Sequence, residues 1–352
     1  MNLKELSEFL GLSQTTVSRA LNGYPEVNEQ TRERVLAAAQ ANDYRPNSRA
    51  KGLATGRAMA IGHVIPTWSQ HEIVNPIFSD FIAGAGEAYA KAGYDMLLSV
   101  VSDEDEARAY RELQARGAVD GVILHAPRDD DSRINMLQKL KLPFVVHGRV
   151  TAPDDSYCWV DVNNQEAFET AGRHLLDFGH RRIALINGQE TMGFARRRRQ
   201  GLETAMADYG VTPDPDLMWQ GEMTEHLGYS AAKHMLALPE PPTAMLVASL
   251  IVAYGARRAL EEAGLVLGRD VSIVTHDDVM AYMRNEGDPP VFTATRSSVR
   301  EAGRLAAQML LSLIADPNRQ TQQTLLKAEL IQGQSTGPVP PSVVQPARKS
   351  HS

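Results

Sequence analysis

Beyond Arg57 the chain alternates short apolar runs with amphipathic stretches, and it does so twice. MAIGHVIP (59–66), YDMLLSVV (94–101), GVILHA (121–126) and FVVHGR (144–149) read as buried strands. Between them DFIAGAGEAYAKAG (80–93) and EDEARAYRELQARG (104–117) carry apolar residues at helical spacing. Strands alternating with helices of that length predict a parallel sheet with crossover helices. The pattern restarts near Arg182 with IALING (183–188), AMLVAS (244–249) and VSIVTHDD (271–278). No close repeat of sequence accompanies it, so the expectation is one architecture built twice.

Ahead of this body the periodicity is that of short helices. Asn2-Leu3-Lys4-Glu5 has the form of a capping box, and Leu3, Leu6 and Leu10 follow at helical spacing. Gly11 ends that helix, and Ser13 caps a second running from Gln14 to about Leu21. Val17, Ala20 and Leu21 form its apolar side; Gln14, Thr15, Ser18, Arg19 and Asn22 form its polar side. Gln can make two bonds to adenine and Arg two to guanine, so this side has the chemistry to read a major groove. Thr16, and Thr31 in a third helical run behind Asn28, offer hydroxyls suited to phosphate. A surface helix in an ordinary helical hairpin would show the same hexapeptide VSRALN, so the residues that follow matter.

They are DYRPNSRAKGLATGR (43–57), where Pro46 bars helix just before it and suits the start of a new one. Arg49, Lys51 and Arg57 surround Ala50, Leu53 and Ala54. A short basic helix with one prominent leucine suits wedging between base steps in a minor groove. It is too short to be stable alone in water, which predicts ordering on DNA.

Charge agrees with this division. The 352 residues carry a formal charge of −7, unevenly placed: residues 1–57 hold 8 Lys and Arg against 6 Asp and Glu, the remainder 28 against 37. A weakly basic head on an acidic body directs DNA to the head. A single cysteine, Cys158, precludes an internal disulfide, fits a reducing cytoplasm and lies in an apolar run that predicts a buried strand residue. The helix-turn-helix begins at the first Met, which predicts a cytoplasmic protein with no signal peptide. No segment approaches the ~20 apolar residues of a membrane span.

With these pieces in place the chain resembles the LacI/GalR family of bacterial transcription regulators. The resemblance runs from Asn2 to about Ser335 and rests on TTVSRALNG (15–23), TRERV (31–35), YRPNSRAKGLATGR (44–57), FGHRRIALING (178–188), RRRRQG (196–201), PTAMLVAS (242–249) and VSIVTHDD (271–278). Within the family the likeness is to regulators of rhizobial α-glucoside uptake. It implies an α/β protein with an all-α helix-turn-helix headpiece (1–45), a hinge helix (46–57) and a body (58–336). The body would hold two Rossmann-like parallel-sheet subdomains of periplasmic-binding-protein type, about 58–157 with 292–324 and about 162–288 with 328–336. Three crossover strands are expected near 157–161, 291–296 and 325–330, with a disordered Pro- and Ser-rich tail at 337–352. The implied partners are double-stranded operator DNA, a small effector such as a sugar, and a second copy of the chain. No cofactor is implied. The tail lacks a leucine heptad, so a dimer is expected over a tetramer.

Ligands of such sheets sit at the carboxyl ends of the strands, which here nominates 66–68, His125, 147–149, 187–199, Ser249 and 276–278. Four consecutive arginines, Arg196 to Arg199, would suit a nucleic-acid patch or a solvated face. The resemblance instead places Arg198 at the effector-clamping position and Asp277 at the acidic position that accepts sugar hydroxyls. Asn75 and Phe78 match an entry to the first body helix that often walls the ligand. Met223 falls where some sugar sensors carry a stacking tryptophan, and Trp68 or Phe194 would supply the platform instead. Two departures touch the same pocket: Ser249-Leu250 replaces the usual Asn-Asp, and His147-Gly148-Arg149 replaces the usual acidic end of the fourth strand. Arg, Asp, Ser and His suit a polyhydroxylated ligand; a purine or nucleoside remains an alternative. A cytoplasmic solute receptor and an enzyme are the competing classes, and the chain contains no GxGxxG after the first strand, no GxxxxGK[ST] and no GxSxG nucleophile turn between a strand and a helix.

Overall fold

The computed structural model describes residues 1–21, 23–42, 44, 56–66, 76–102, 105–128, 130–150, 156–276 and 279–341. Residues 1–59 with 117–120 form one compact unit, and 60–116 with 121–352 form the other.

The first unit is built from α1 (Leu3–Leu10), α2 (Gln14–Leu21) and α3 (Glu29–Ala41). Both halves of the capping box at α1 are made: the Glu5 amide donates to Asn2 Oδ1 and the Asn2 amide donates to Glu5, each at 3.0 Å. Gly11 leaves the helix with φ +64°, the left-handed turn that favours glycine. The Ser13 hydroxyl accepts from the Thr16 amide at 3.0 Å, and Asn28 Oδ1 accepts from the Thr31 amide at 2.8 Å. Leu6, Leu10, Val17, Ala20, Val27, Val35 and Ala39 close over one another as a small core. That core fixes which side of α2 faces outward.

In the second unit two parallel sheets carry helices on both faces. The first contains β1 (Ala60–Pro66), β2 (Asp95–Val101), β3 (Gly121–His125), β4 (Phe144–His147), β5 (Cys158–Val162) and β11 (Gln323–Leu326) in the order β11-β5-β4-β3-β1-β2. Its helices are α4 (Pro76–Ala92), α5 (Glu106–Ala115), α6 (Ser132–Leu140) and α11 (Val299–Ala315). The second contains β6 (Ile183–Asn187), β7 (Met218–Gln220), β8 (Ala244–Val247), β9 (Ser272–His276), β10 (Thr293–Arg296) and β12 (Glu329–Ile331) in the order β12-β10-β9-β8-β6-β7. Its helices are α7 (Asn164–Asp177), α8 (Gly193–Asp208), α9 (Glu225–Leu236) and α10 (Leu250–Glu262). Pairing is parallel throughout except between β10 and β12. β3 is buried along its whole length and β4 at all but His147, because helices cover both faces of the sheet.

The chain passes between the subdomains three times: from β5 into α7, from β10 into α11, and from β11 into β12. Residues 292–296, grouped by sequence with the first subdomain, instead lie in the second, because β10 pairs with β9 there. Two further expectations are corrected. β2, read as buried, is an edge strand with one neighbour, so alternate residues face outward and Leu98 and Val100 are about half exposed, at 47% and 49%. The start of the tail is ordered: the Val339 amide donates to the Phe178 carbonyl, and the Gly337 carbonyl accepts from buried His180. Residues 342–352 lie outside the described residues.

Helices α9 and α10 touch through glycine. A Cβ on Gly228 would sit 2.0 Å from the Val252 carbonyl oxygen, and one on Gly255 would sit 1.9 Å from that of Glu225. Only two residues without side chains allow this backbone approach. No helix among the described residues is long and apolar enough to cross a membrane.

Candidate functional site

In the first unit, Gln14, Thr15 and Arg19 are exposed on one side of α2, opposite buried Val17 and Ala20. Thr16 and Ser18 are half-buried, and the Thr16 hydroxyl lies 2.8 Å from that of Ser13, so it braces the helix start. Thr31, half-buried, stands in the first turn of α3. α2 thus presents a polar ridge of one amide, one hydroxyl and one guanidinium on a rigid scaffold. Asn22 and Leu53 lie outside the described residues.

In the second unit a cavity opens between the two subdomains at the carboxyl ends of their strands. Its volume is about 140 Å³, and it is open to solvent. Phe78, His125, His147, Phe194, Arg198 and Met223 all line it, together with Asp161, Asn164 and Arg197. Trp68, Asn75 and Asp277 lie outside the described residues.

Arg198 stands in the first turns of α8 and is 5% exposed. Its Nε donates to Asn164 Oδ1 at 2.7 Å and its Nη1 to the Ala248 carbonyl at 2.9 Å. The guanidinium carbon lies 4.9 Å from the Phe194 ring centre and 5.1 Å from that of Phe168. Two fixed hydrogen bonds and two aromatic faces hold the planar fork in one orientation at the cavity wall. Met223 Sδ lies 3.9 Å from Nη1, so the thioether borders the same fork, and Phe194 supplies the aromatic surface. Ser249 is different from expectation. It is fully buried, is not part of the cavity wall, and its hydroxyl has no hydrogen-bond partner among the described residues. The carbonyl just before it, that of Ala248, meets Arg198 in its place.

The other arginines of the run diverge. Arg197 reaches into the first subdomain, where its Nη2 donates to Asp161 Oδ2 at 3.0 Å; Arg149 Nε donates to the same oxygen at 3.0 Å. Burial pushes the Asp161 carboxyl up against the pull of both cations, and burial pushes Arg197 down. Arg199 pairs with Glu190 and Glu203, and Arg196 is exposed.

On the first subdomain's side, His147 stacks on Phe81 with ring centres 4.0 Å apart, and Phe78 meets His125 edge-on at 5.1 Å. Behind them lie His63, in the middle of β1, and Tyr89, in α4. Sequence reasoning passed over His63, Tyr89, Asp161, Asn164 and Phe168. A histidine inside the apolar run MAIGHVIP was the available signal for the first. No group of three or more His, Cys, Asp or Glu among the described residues is arranged to hold a metal ion.

Comparison with known proteins gives this geometry a context. Residues 2–47 match the family described as bacterial regulatory proteins, lacI family, and residues 173–336 match the periplasmic binding protein-like domain. The chain is 46% identical to the HTH-type transcriptional regulator AglR of Rhizobium meliloti (strain 1021), over 97% of this chain and 95% of that one. It is 34% identical to the HTH-type transcriptional regulator RafR of Escherichia coli, over 89% and 92% of the two chains. Among solved structures it is similar to the lac repressor dimer bound to operator and the anti-inducer ONPF, with a TM-score of 0.79 and 27% identity over 96% of this chain and 99% of that one. It is also similar to a transcriptional regulator CelR–cellobiose complex, with a TM-score of 0.70 and 27% identity over 95% and 99%. All four are transcriptional regulators and none is an enzyme.

Proposed function

The chain belongs to the lacI family of bacterial regulatory proteins and is a DNA-binding transcriptional regulator, and from that premise we propose that it represses a sugar-utilisation operon under control of an α-glucoside. The observation that carries the ligand class is Arg198. A buried guanidinium, locked by Asn164 and Ala248 and set beside Phe194, offers directed donors next to an apolar surface. A pyranose presents the matching combination of hydroxyl edges and carbon faces. Relatives support the same class: one solved structure holds cellobiose.

Operator and effector are coupled by linkage. Two copies of α2 in a dimer read two half-sites, with Gln14, Thr15 and Arg19 on base edges and Thr16, Ser18 and Thr31 near phosphates. Ligand closes the cavity by drawing the two subdomains together, and this changes the spacing of the two heads. Each ligand then alters the other's affinity by the same factor.

The test is calorimetry of the full chain with maltose, sucrose, trehalose, cellobiose and hypoxanthine, paired with a band shift on operator DNA. An α-glucoside that binds and releases the operator is expected. Binding of hypoxanthine alone would replace the sugar reading with a purine one. Release by none of them would remove the proposal.

A further inference from the structure

Main chain joins the two subdomains at the edge of the cavity. Arg128, on the loop after β3, and Met192, at the start of α8, face each other as an antiparallel bridge. Beside that pair the Gly193 amide donates to the Pro127 carbonyl at 3.4 Å. Ala126 and Pro127 line the cavity from one subdomain and Phe194 lines it from the other. Met192 stands at the N-cap of α8 and makes no side-chain cap. The first amide of the helix that carries Phe194, Arg197 and Arg198 therefore finds its acceptor across the subdomain boundary.

The loop that supplies this acceptor is braced from behind. Ala126 has φ +43°, a left-handed conformation that strains a residue with a Cβ and persists only where its surroundings enforce it. Arg133 enforces it. Its Nη2 donates to the His125 and Ala126 carbonyls, each at 3.3 Å, and its Nε donates to Asp131 Oδ1 at 2.8 Å. Asp131 Oδ2 accepts from the Arg128 amide at 3.0 Å, and Arg133 also pairs with Glu106 of α5. Asp131 and Glu106 are both buried. Meeting two carbonyls and two carboxylates at once takes the planar fork of a guanidinium.

We propose that residues 126–128 are a latch: their backbone docks on the first turn of α8 and holds the two subdomains together at the cavity's edge. The contact consists of protein groups alone, so it forms with or without effector. It favours the closed arrangement and thereby reduces the differential affinity that an effector must supply to populate it. Arg133 is a positioning residue, since it acts through the loop. The effect of the latch on operator rests on the reading above that closure releases DNA; the latch itself does not.

A cross-link tests it. In an antiparallel pair flanked by hydrogen bonds, the facing Cα atoms lie about 4.5 Å apart, within the span of a disulfide. The full chain with Arg128→Cys and Met192→Cys, in a Cys158→Ser background, is treated with oxidised glutathione in the absence of sugar. Thiol counting and a non-reducing gel should show a disulfide within each chain. Persistent thiols, or links between chains only, overturn the latch. Adding Arg133→Lys should slow the linkage about threefold or more, the lower range for one lost hydrogen bond. An equal rate overturns the bracing role; should that variant not fold, linkage in the parent still decides on the latch. Band shifts then compare the oxidised and reduced chain on operator DNA. The oxidised chain should bind about tenfold more weakly, a typical coupling, and reductant should restore binding. Equal affinity overturns the latch's control of DNA binding. Tighter binding when oxidised, or weaker binding while wild type ignores maltose, overturns the reading above and leaves the latch standing.

Discussion

The Asp161 carboxylate and the Arg197 guanidinium meet at 3.0 Å from opposite subdomains, one on β5 of the first sheet and the other on α8 against the second. Both are about 5–6% exposed, and Arg149 bonds the same carboxylate oxygen. A single anion therefore holds two cations at the mouth of the hinge. Asp161→Asn is expected to lower stability by about 3–5 kcal/mol, because it leaves two guanidiniums facing each other with no counter-charge. The double variant Asp161→Leu with Arg197→Met should lose less than Asp161→Asn alone. Urea denaturation of the set measures this, and equal losses would show that the pair is not coupled.

Arg198→Lys keeps the charge but gives up the planar fork and the Nε bond to Asn164. It should weaken effector binding at least about tenfold, the scale of a lost charged hydrogen bond, and leave operator affinity unaltered. Calorimetry with the cognate sugar and a band shift without it separate the two effects. Full ligand response in the variant would move the search for the effector contacts to His147 and Met223.

Arg19→Ala should cost ~1–3 kcal/mol in operator binding and relax preference at one base pair in each half-site. Its exposed position on α2 leaves the headpiece core of Val17 and Ala20 intact, so the fold should persist. A panel of single-base operator variants reads the outcome. A uniform loss across the panel would assign Arg19 to phosphate instead.

Stability should fall as the medium is acidified below pH 6.5. The unfolded His63 ring takes a proton near its ordinary value of 6.5, whereas the folded ring resists until about 3. Its contribution is thus complete above the unfolded value and declines as pH drops toward the folded one. His125 acts in the same direction. Denaturant melts at neutral pH and near pH 5 should show a shallower decline in His63→Gln than in wild type.

Gly228→Ala should destabilise by about 1–3 kcal/mol, the usual cost of overpacking, because the new methyl would have to displace the Val252 backbone. Substitution at Gly264, whose Cβ would meet nothing within 4 Å, tests a different cost, since its φ of +72° strains any side chain. Thermal melts of the two variants distinguish packing from backbone conformation.

What could be read from the sequence was whatever is local in the chain. Asn2 and Glu5 are three residues apart, so the capping box shows itself, and the apolar side of α2 follows from spacing alone. Arg198 was found by its place between a strand and a helix and by family resemblance. The contacts that give the cavity its character are remote in sequence: His63 meets His125 across 62 positions, and Arg197 meets Asp161 across 36. Periodicity carries no record of such pairs. The same reason explains β2 and the tail. An apolar run reads alike at the centre or the edge of a sheet, and a Pro-rich stretch gives no hint that buried His180 will bond Gly337.

The three passages between subdomains leave from neighbouring strands, β5 beside β11 in one sheet and β10 beside β12 in the other. Such attachments work mechanically like the knuckles of one door hinge. They oppose sliding and twisting, and they leave bending about a shared axis as the soft direction. No single cut of the backbone can free either half, since each is stitched from two separate stretches of chain and three passages join them. A C-terminal deletion that removes β11 and β12 would therefore take a strand from both sheets at once and loosen the axis itself.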